Sequence, residues 1–514
     1  MTRFLLSLSI GPVQEFIASA RRTADLYAGS DLLTKVVGAA AATFTLPGDE
    51  RIFPVSTTSG GANKILTVVQ GDPALRAAQA KSAAREALQQ AWTGVRDDLL
   101  ERQPNLLNTR LADEQIDSFL ELYAAWVPFP EGPQGYAQAR QEVERLLAGR
   151  KALRDFKALP GNDAGLPKSP LDPSRACVLN LKNMRLPAAA SEAPLQLKST
   201  EYLDAVSVLK RASGRSLGQM KRGGVLSTRD LANRAVDPGA HSAGEDDDSE
   251  PRYPYYAVLI ADGDRMGKLL SYCDEAREHI RISQALDTFA QEARTIVDSF
   301  DGQLVYAGGD DVMALMPVTT AVGCAQALAR SFSARVGLDV PGGERLGTLS
   351  VGVAITHYRE PLSHALQQAR AAERAAKDGG RNRLAVALHT RGGSPMTVVQ
   401  PWAHLNLIEW QAMYQGGLLP RGVAYELRNL ALGWPEGDAD LTGLVLRSEV
   451  IRILKRKSAR EQGSKVDVKP LEDLLKEIAA SETPGRALRE TADQLVLARF
   501  LSAGALSTAE GPHA

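Results

Sequence analysis

Apolar and polar positions along the chain follow two periods, and both are present in each half. Residues 3–10 form an apolar run that reads as a buried strand. Gly11-Pro12 then turns the chain, and Val13, Phe16, Ile17 and Ala20 recur at helical spacing. A second helix is predicted over Asp31 to Thr43, and a strand over 64–70. From Ala74 to about Ala158 the pattern is long and helical, broken at Pro104 and at the Pro128–Pro133 cluster. Strand, helices, strand and a helical stretch predict a small α+β domain carrying an inserted helical lobe over about 74–158.

The second half repeats the idea with stronger signals. Residues 255–261 read as a buried strand ending in Asp262-Gly263-Asp264. A helix is predicted over 280–300, then a hairpin of 303–307 and 312–316 with Gly308-Gly309-Asp310-Asp311 at its tip. A helix over 321–335, a strand over 348–355, a helix over 361–377 and a last strand over 383–388 complete a ferredoxin-like order with one added element. Beyond Pro401 the chain reads as almost all helix. The predicted fold class is α+β, with two ferredoxin-like palms and a C-terminal helical domain. The predicted boundaries are 1–205, 206–250, 251–400 and 401–514.

Length supports this division, since 514 residues suggest three or four domains. With 60 basic and 61 acidic residues the net charge is −1, which excludes nucleic-acid binding by bulk charge alone. Charge is uneven locally. Residues 206–235 carry +6 and residues 447–465 carry +5, so both are candidate phosphate-holding patches. Each also suits a plain solvated helix face. The turn-rich acidic segment 237–251 reads as a linker. Cys177, Cys273 and Cys324 form no CxxC pair, and the seven histidines form no HExxH, so no zinc is expected and a reducing cytoplasm fits. The N-terminal apolar run is too short for a membrane span, and no 18-residue apolar stretch follows, so no membrane partner is expected.

The best chemical constellation is Asp262-Gly263-Asp264 with Gly308-Gly309-Asp310-Asp311. In a palm the first strand and the hairpin are neighbours, so the two acidic turns meet at one edge. Carboxylates about 4 Å apart repel unless a cation lies between them. Oxygen-only ligands suit two Mg²⁺ or Mn²⁺ ions that take further ligands from substrate phosphates. Gly263, Gly308 and Gly309 leave room for a triphosphate. Lys377, in Ala376-Lys377-Asp378-Gly379-Gly380-Arg381-Asn382, is placed to reach it as a point charge. Taken alone, the Gly-Gly-Asp-Asp also fits a tight hairpin turn, and Lys377 also fits a basic helix end before a glycine stop.

Residues 255–389 resemble the GGDEF/nucleotide-cyclase palm through Ala261-Asp262-Gly263-Asp264, Tyr306 to Asp311, Ser350-Val351-Gly352-Val353-Ala354 and Ala376-Lys377 to Asn382. More narrowly, the chain resembles the large polymerase/cyclase subunit of type III-B CRISPR effector complexes. The opening Ile10-Gly11-Pro12-Val13-Gln14-Glu15-Phe16-Ile17, the segment Gly165-Leu166-Pro167-Lys168-Ser169 with Leu171-Asp172, and His357-Tyr358 with Pro361-Leu362 carry that likeness.

The resemblance implies a second palm that joins ATP 3′ to 5′ into cyclic oligoadenylates when target RNA is bound. It implies partner subunits and a guide RNA as well. Asp262, Asp310 and Asp311 would hold metal, with Asp310 and Asp311 catalytic. Gly263, Asp264, Gly308, Gly309 and Lys377 would contact the nucleotide. The first palm, which lacks a Gly-Gly-Asp-Asp, would lend a second nucleotide pocket using Gly60, Gly61, Asn63 and Lys64. Family members often begin with an HD nuclease; this chain opens at the first palm and has no His-Asp dipeptide, so DNA cleavage is not expected. Two rival readings stay open: a silent RNA- and partner-binding scaffold, and a diguanylate-cyclase-type enzyme.

Overall fold

The computed structural model describes residues 2–56, 62–129, 135–153, 165–180, 201–220, 224–238, 250–433, 445, 448–453, 456 and 484–506. The first sheet is built from β1 (Arg3–Gly11), β2 (Glu50–Phe53), β3 (Lys64–Gln70) and β4 (Glu121–Pro128), in the order β2-β3-β1-β4. All of its pairings are antiparallel, with Leu6 opposite Thr67 on one side and Trp126 on the other. Its helices are α1 (Gln14–Ala18), α2 (Thr23–Ala42), α3 (Pro73–Arg102), α4 (Thr109–Asp117) and α5 (Tyr136–Ala152). The strand order and the β-α-β-β-α-β succession are those of a ferredoxin-like palm.

This corrects the expected helical lobe over 74–158. Helix α3 is the palm's second helix and β4 its fourth strand, so the segment completes the sheet. The sequence of β4 (ELYAAWVP) gives a weak strand signal, because its burial alternates only loosely and two alanines at its centre suit a helix equally. Strand β2 is four residues long and was also not foreseen.

Helices α6 (Ala205–Met220) and α7 (Thr228–Arg234) link this half to the second sheet. The second half contains β5 (Tyr255–Gly263), α8 (Met266–Ser271), α9 (Ala276–Ser299), β6 (Gln303–Gly308), β7 (Asp311–Pro317) and α10 (Ala321–Val336). It continues through β8 (Leu338–Val340), β9 (Glu344–Leu346), β10 (Leu349–His357), α11 (Leu362–Asp378), β11 (Arg383–Leu388) and β12 (Met396–Pro401). The order β12-β11-β10-β5-β7-β6 contains the same palm, extended by β11, parallel to β10, and by β12. Strand β12 and the β8–β9 ribbon had not been expected. Helices α12 (Leu407–Gln415), α13 (Val423–Gly433) and α14 (Pro484–Leu506) follow.

Strand β5 is apolar from Tyr255 to Ala261 because both of its faces are covered there. Ala257, Leu259 and Ala261 join the core beneath α9 and α10. Tyr256, Val258 and Ile260 join a second core with Leu366 and Ala369 of α11 and with Leu6, Leu8 and Ile10 of the first sheet. The two palms therefore share one apolar core across the α11 face. A buried polar contact adds to the seam: Tyr136 Oη of α5 lies 2.6 Å from His279 Nδ1 of α9. No helix among the described residues is long and apolar enough to cross a membrane.

Candidate active site

The carboxylates meet where β5 ends beside the β6–β7 hairpin. Ala261 pairs with Val312 across the β5–β7 ladder, and Gly308 pairs with Asp311 at the hairpin tip. Gly263 N donates to Asp310 O at 3.1 Å, locking the two acidic turns together. A Cβ on Gly263 would lie 2.7 Å from Asp310 Cβ and 2.9 Å from Phe332 Cζ. Gly263 thus lacks a side chain so that Asp310 can sit close, rather than to leave room for a ligand alone. Gly309 takes φ of +63°, a backbone angle that suits glycine. A methyl on it would lie 3.6 Å from Phe53 Cζ, which places the end of β2 from the first palm over the hairpin tip.

Electrostatics at this edge are unfavourable for three bare carboxylates. Burial, then the charge of Asp262, pushes the Asp310 carboxyl up to about 6. Asp311 is also pushed up, chiefly by burial, then by its hydrogen bond to Asp262 and the charge of Asp310. One cation already answers part of this crowding: Lys377 Nζ lies 2.6 Å from Asp262 Oδ2 and 2.7 Å from Glu373 Oε1. Glu373, one turn before Lys377 on α11, was not foreseen; the i, i+4 spacing was its available signal. Tyr306 is partly buried beside this group, its phenol pushed up by burial and then by the Asp311 charge.

Asp264 stands apart from the group. It is 3% exposed and accepts hydrogen bonds from Thr348 Oγ1 (2.8 Å), Ser350 Oγ (2.7 Å) and Asn382 N (2.9 Å). Its own N donates to Thr348 O at 2.7 Å. The side chain staples the end of β5 to β10 and to the turn after α11.

Among the described residues, no group of three or more His, Cys, Asp or Glu side chains is already arranged to hold a metal ion. The donor set nonetheless suits a hard divalent cation. Asp262, Asp310 and Asp311 offer only oxygen, and burial together with the neighbouring carboxylates pushes Asp310 and Asp311 toward the protonated form. The three cysteines are buried and unpaired.

The basic patches look different in three dimensions. Lys210 is buried and donates to Phe16 O at 2.6 Å and to Ser19 O, and burial pulls its ammonium down to about 8. Arg211 is buried against Asp25 at 2.9 Å and Glu201 at 3.5 Å. Two of the cations counted in 206–235 therefore hold α6 to the first palm instead of facing solvent, which corrects their reading as phosphate contacts. Lys221, Arg222, the Arg215 side chain and most of 237–251 lie outside the described residues, as does most of 447–465. Within the latter, Arg452 and Arg456 pair with Glu449 and Glu426. In the suggested first-palm pocket, Gly60 and Gly61 lie outside the described residues, and Lys64 Nζ pairs with Glu144 at 3.0 Å.

Two ferredoxin-like palms sharing a core, one bearing three carboxylates and a lysine at its open edge, define a tandem-palm protein of the nucleotide-cyclase type. Residues 255–385 match the family model of the Cas10/Cmr2 second palm domain, and residues 5–58 match that of the CRISPR-associated protein Cmr2, N-terminal. Two stretches of the chain, residues 5–58 and 255–385, are thus similar to the Cas10/Cmr2 family. The chain is 31% identical over 243 residues to the CRISPR system Cmr subunit Cmr2 of Pyrococcus furiosus, covering 40% of this chain and 27% of that protein. The match thus spans about a quarter of that relative's length.

Solved structures share the fold. A chain of the type III-B Cmr-beta complex in its apo state superposes with a TM-score of 0.63 at 14% identity, covering 91% of this chain and 78% of that one. A chain of the Csm1-Csm4 cassette in complex with cA4 gives 0.56 at 16% identity, covering 98% and 70%. A chain of the same cassette in complex with one ATP gives 0.53 at 18% identity, covering 98% and 70%.

Proposed function

We propose that the chain is the large subunit of an RNA-guided type III CRISPR antiviral complex and makes cyclic oligoadenylates from ATP when target RNA is bound. The observation that carries this reading is the meeting of Asp262, Asp310 and Asp311 at one sheet edge, with Lys377 as the neighbouring cation. The relatives' complexes with ATP and cA4, and the Cmr-beta complex bound to cognate target RNA, support it.

Asp262, Asp310 and Asp311 are the residues that would hold Mg²⁺ or Mn²⁺. A bound divalent pair supplies charge that favours a deprotonated 3′-hydroxyl and a departing pyrophosphate. The chain's own groups position the reactants. Lys377, held between Asp262 and Glu373, is the ammonium that would meet the triphosphate as a point charge. Gly308 and Gly309 admit the phosphates against the hairpin backbone. Asp264 holds the floor rigid from beneath. Phe53 brings the first palm to the rim, so both palms border the nucleotide.

The test is ATP turnover by the chain purified with its partner subunits, with Mg²⁺ or Mn²⁺, with and without RNA complementary to the guide. Product that requires target RNA and disappears in the Asp310→Ala/Asp311→Ala double variant is the expected result. A complete RNA-bound complex that makes no product leaves a scaffold and refutes the synthase. Turnover of GTP in place of ATP points instead to diguanylate-cyclase-type chemistry.

A further inference from the structure

The second palm has another cavity, on the opposite side of its sheet from α11. It measures about 390 Å³, within the small-ligand range of about 300–1,000 Å³. One wall is the outer stripe of α10, where Gln326, Arg330 and Ser333 recur at helical spacing. Arg345 of β9, Asn382 of the turn after α11 and Trp402 beyond β12 close the other sides.

Two planar groups in this cavity are locked. The Arg345 guanidinium spends its donors on Asp339 Oδ1 and Oδ2 (2.8 and 2.9 Å), Ser333 Oγ (3.0 Å) and Ser333 O (2.8 Å). The Trp402 indole is fixed by Nε1 donating to Leu349 O at 2.8 Å. Trp402 is half-buried against the core and Arg345 lies close to Gly337, so each plane is held in place where it borders the cavity and can meet a planar ligand there. Three other side chains have capacity to spare. Gln326, Arg330 and the Asn382 amide make no side-chain hydrogen bond or ion pair to another described residue. Amides offer a donor and an acceptor each, which suits the edge of a base, and a free guanidinium suits phosphate.

The backbone here is also unusual. Arg381 and Asn382 both take left-handed angles, φ 64° and 51°, and the second is held there by its N–H bond to Asp264. No carboxylate lines the cavity, and with Arg345 already paired to Asp339 the cation left to meet an anion there is Arg330.

We infer that this cavity binds a purine nucleotide 5′-phosphate, with the base against Trp402 and Arg345 and the phosphate on Arg330. The site is separate from the Asp262, Asp310 and Asp311 edge, and the inference does not depend on the activity proposed there. The same chemistry can arrive as a free mononucleotide or as a residue of an RNA strand.

Equilibrium dialysis of the full chain against labelled 5′-AMP, and separately against 5′-phosphorylated linear ApApA, separates these sources. EDTA keeps divalent ions away from the carboxylate edge. Saturable binding is expected for AMP. Arg330→Glu, an exposed and fold-neutral change, should weaken it by about tenfold or more, as losing a charged hydrogen bond does. The Asp310→Ala/Asp311→Ala variant should bind as the parent does. Binding of ApApA in place of AMP assigns the site to RNA and keeps the inference. No saturable binding of either, or binding that survives Arg330→Glu and is lost in the double variant, overturns it. Because the readout involves no turnover, a chain that makes no product but binds AMP sinks the proposed synthase and leaves this site standing.

Discussion

Gly352 on β10 lies directly beneath α11, and an alanine there should displace the helix that carries Lys377. A Cβ at this position would meet Glu373 N at 2.1 Å, Ala369 O at 2.6 Å and Glu373 Cα at 2.6 Å. All three are backbone atoms of one helix, so no side chain can step aside. Reaching ordinary contact at 3.4 Å needs a shift of about 1.3 Å at the nearest atom. The face that would lift is lined by Ala365, Ala369, Ala372 and Ala376, small residues that permit the close approach. Overpacking of this kind costs about 1–3 kcal/mol, and the absence of any flexible neighbour puts Gly352→Ala at or above about 3 kcal/mol. Glu373 and Lys377 ride on the same helix, so the 2.6 Å contact to Asp262 should lengthen with it.

Urea unfolding followed by tryptophan fluorescence reads the stability change as a lower midpoint. Gly94→Ala is the internal control. It is an exposed position of α3 with nothing within 4 Å of its would-be Cβ, and should gain about 0.5–1 kcal/mol. A Gly352→Ala protein with the parent's midpoint would refute the close packing of α11 on β10.

Further outcomes follow from the same geometry. Asp264→Ala strands two buried hydroxyls and the Asn382 N–H, and should cost about 2–4 kcal/mol in the same urea assay; an unchanged midpoint would mean the staple carries no load. Gly263→Ala would set a Cβ 2.7 Å from Asp310 Cβ and force that residue away, and should cut any metal-dependent ATP turnover far more than it lowers the urea midpoint. Burial, with Arg140 and Lys64 nearby, holds the His279 imidazole down at about 3 against 6.5 when free, so its stabilisation is whole above pH 6.5 and drains away as pH falls toward 3. That span corresponds to about 4–5 kcal/mol, and His279→Gln should flatten the acid side of the stability profile relative to the parent.

By itself the sequence determined the parts that depend on local pattern. The run 255–261 is apolar at every position, as only a strand covered on both faces requires, and the glycines and aspartates at 308–311 punctuate a hairpin. Adjacency in the palm topology then brought Asp262 to Asp310 and Asp311, because β5 and β7 are neighbours whatever the details of packing. Lys377 was legible for the same reason, at the end of the helix that returns to that sheet.

Only the tertiary structure decided which polar groups face solvent and which hold the fold. Asp262 and Asp264 are two residues apart on one strand end, yet the first borders the open edge and the second is sealed under β10, a distinction set by partners 84 and 86 residues away. Lys210 and Arg211 count toward local charge identically with their neighbours until Asp25, Glu201 and the end of α1 close over them. Strand β4 became a strand because β1 offered it an unpaired edge, not because its own residues insisted. Each of these choices is made by a contact between distant segments, and such contacts have no periodicity along the chain for a sequence to display.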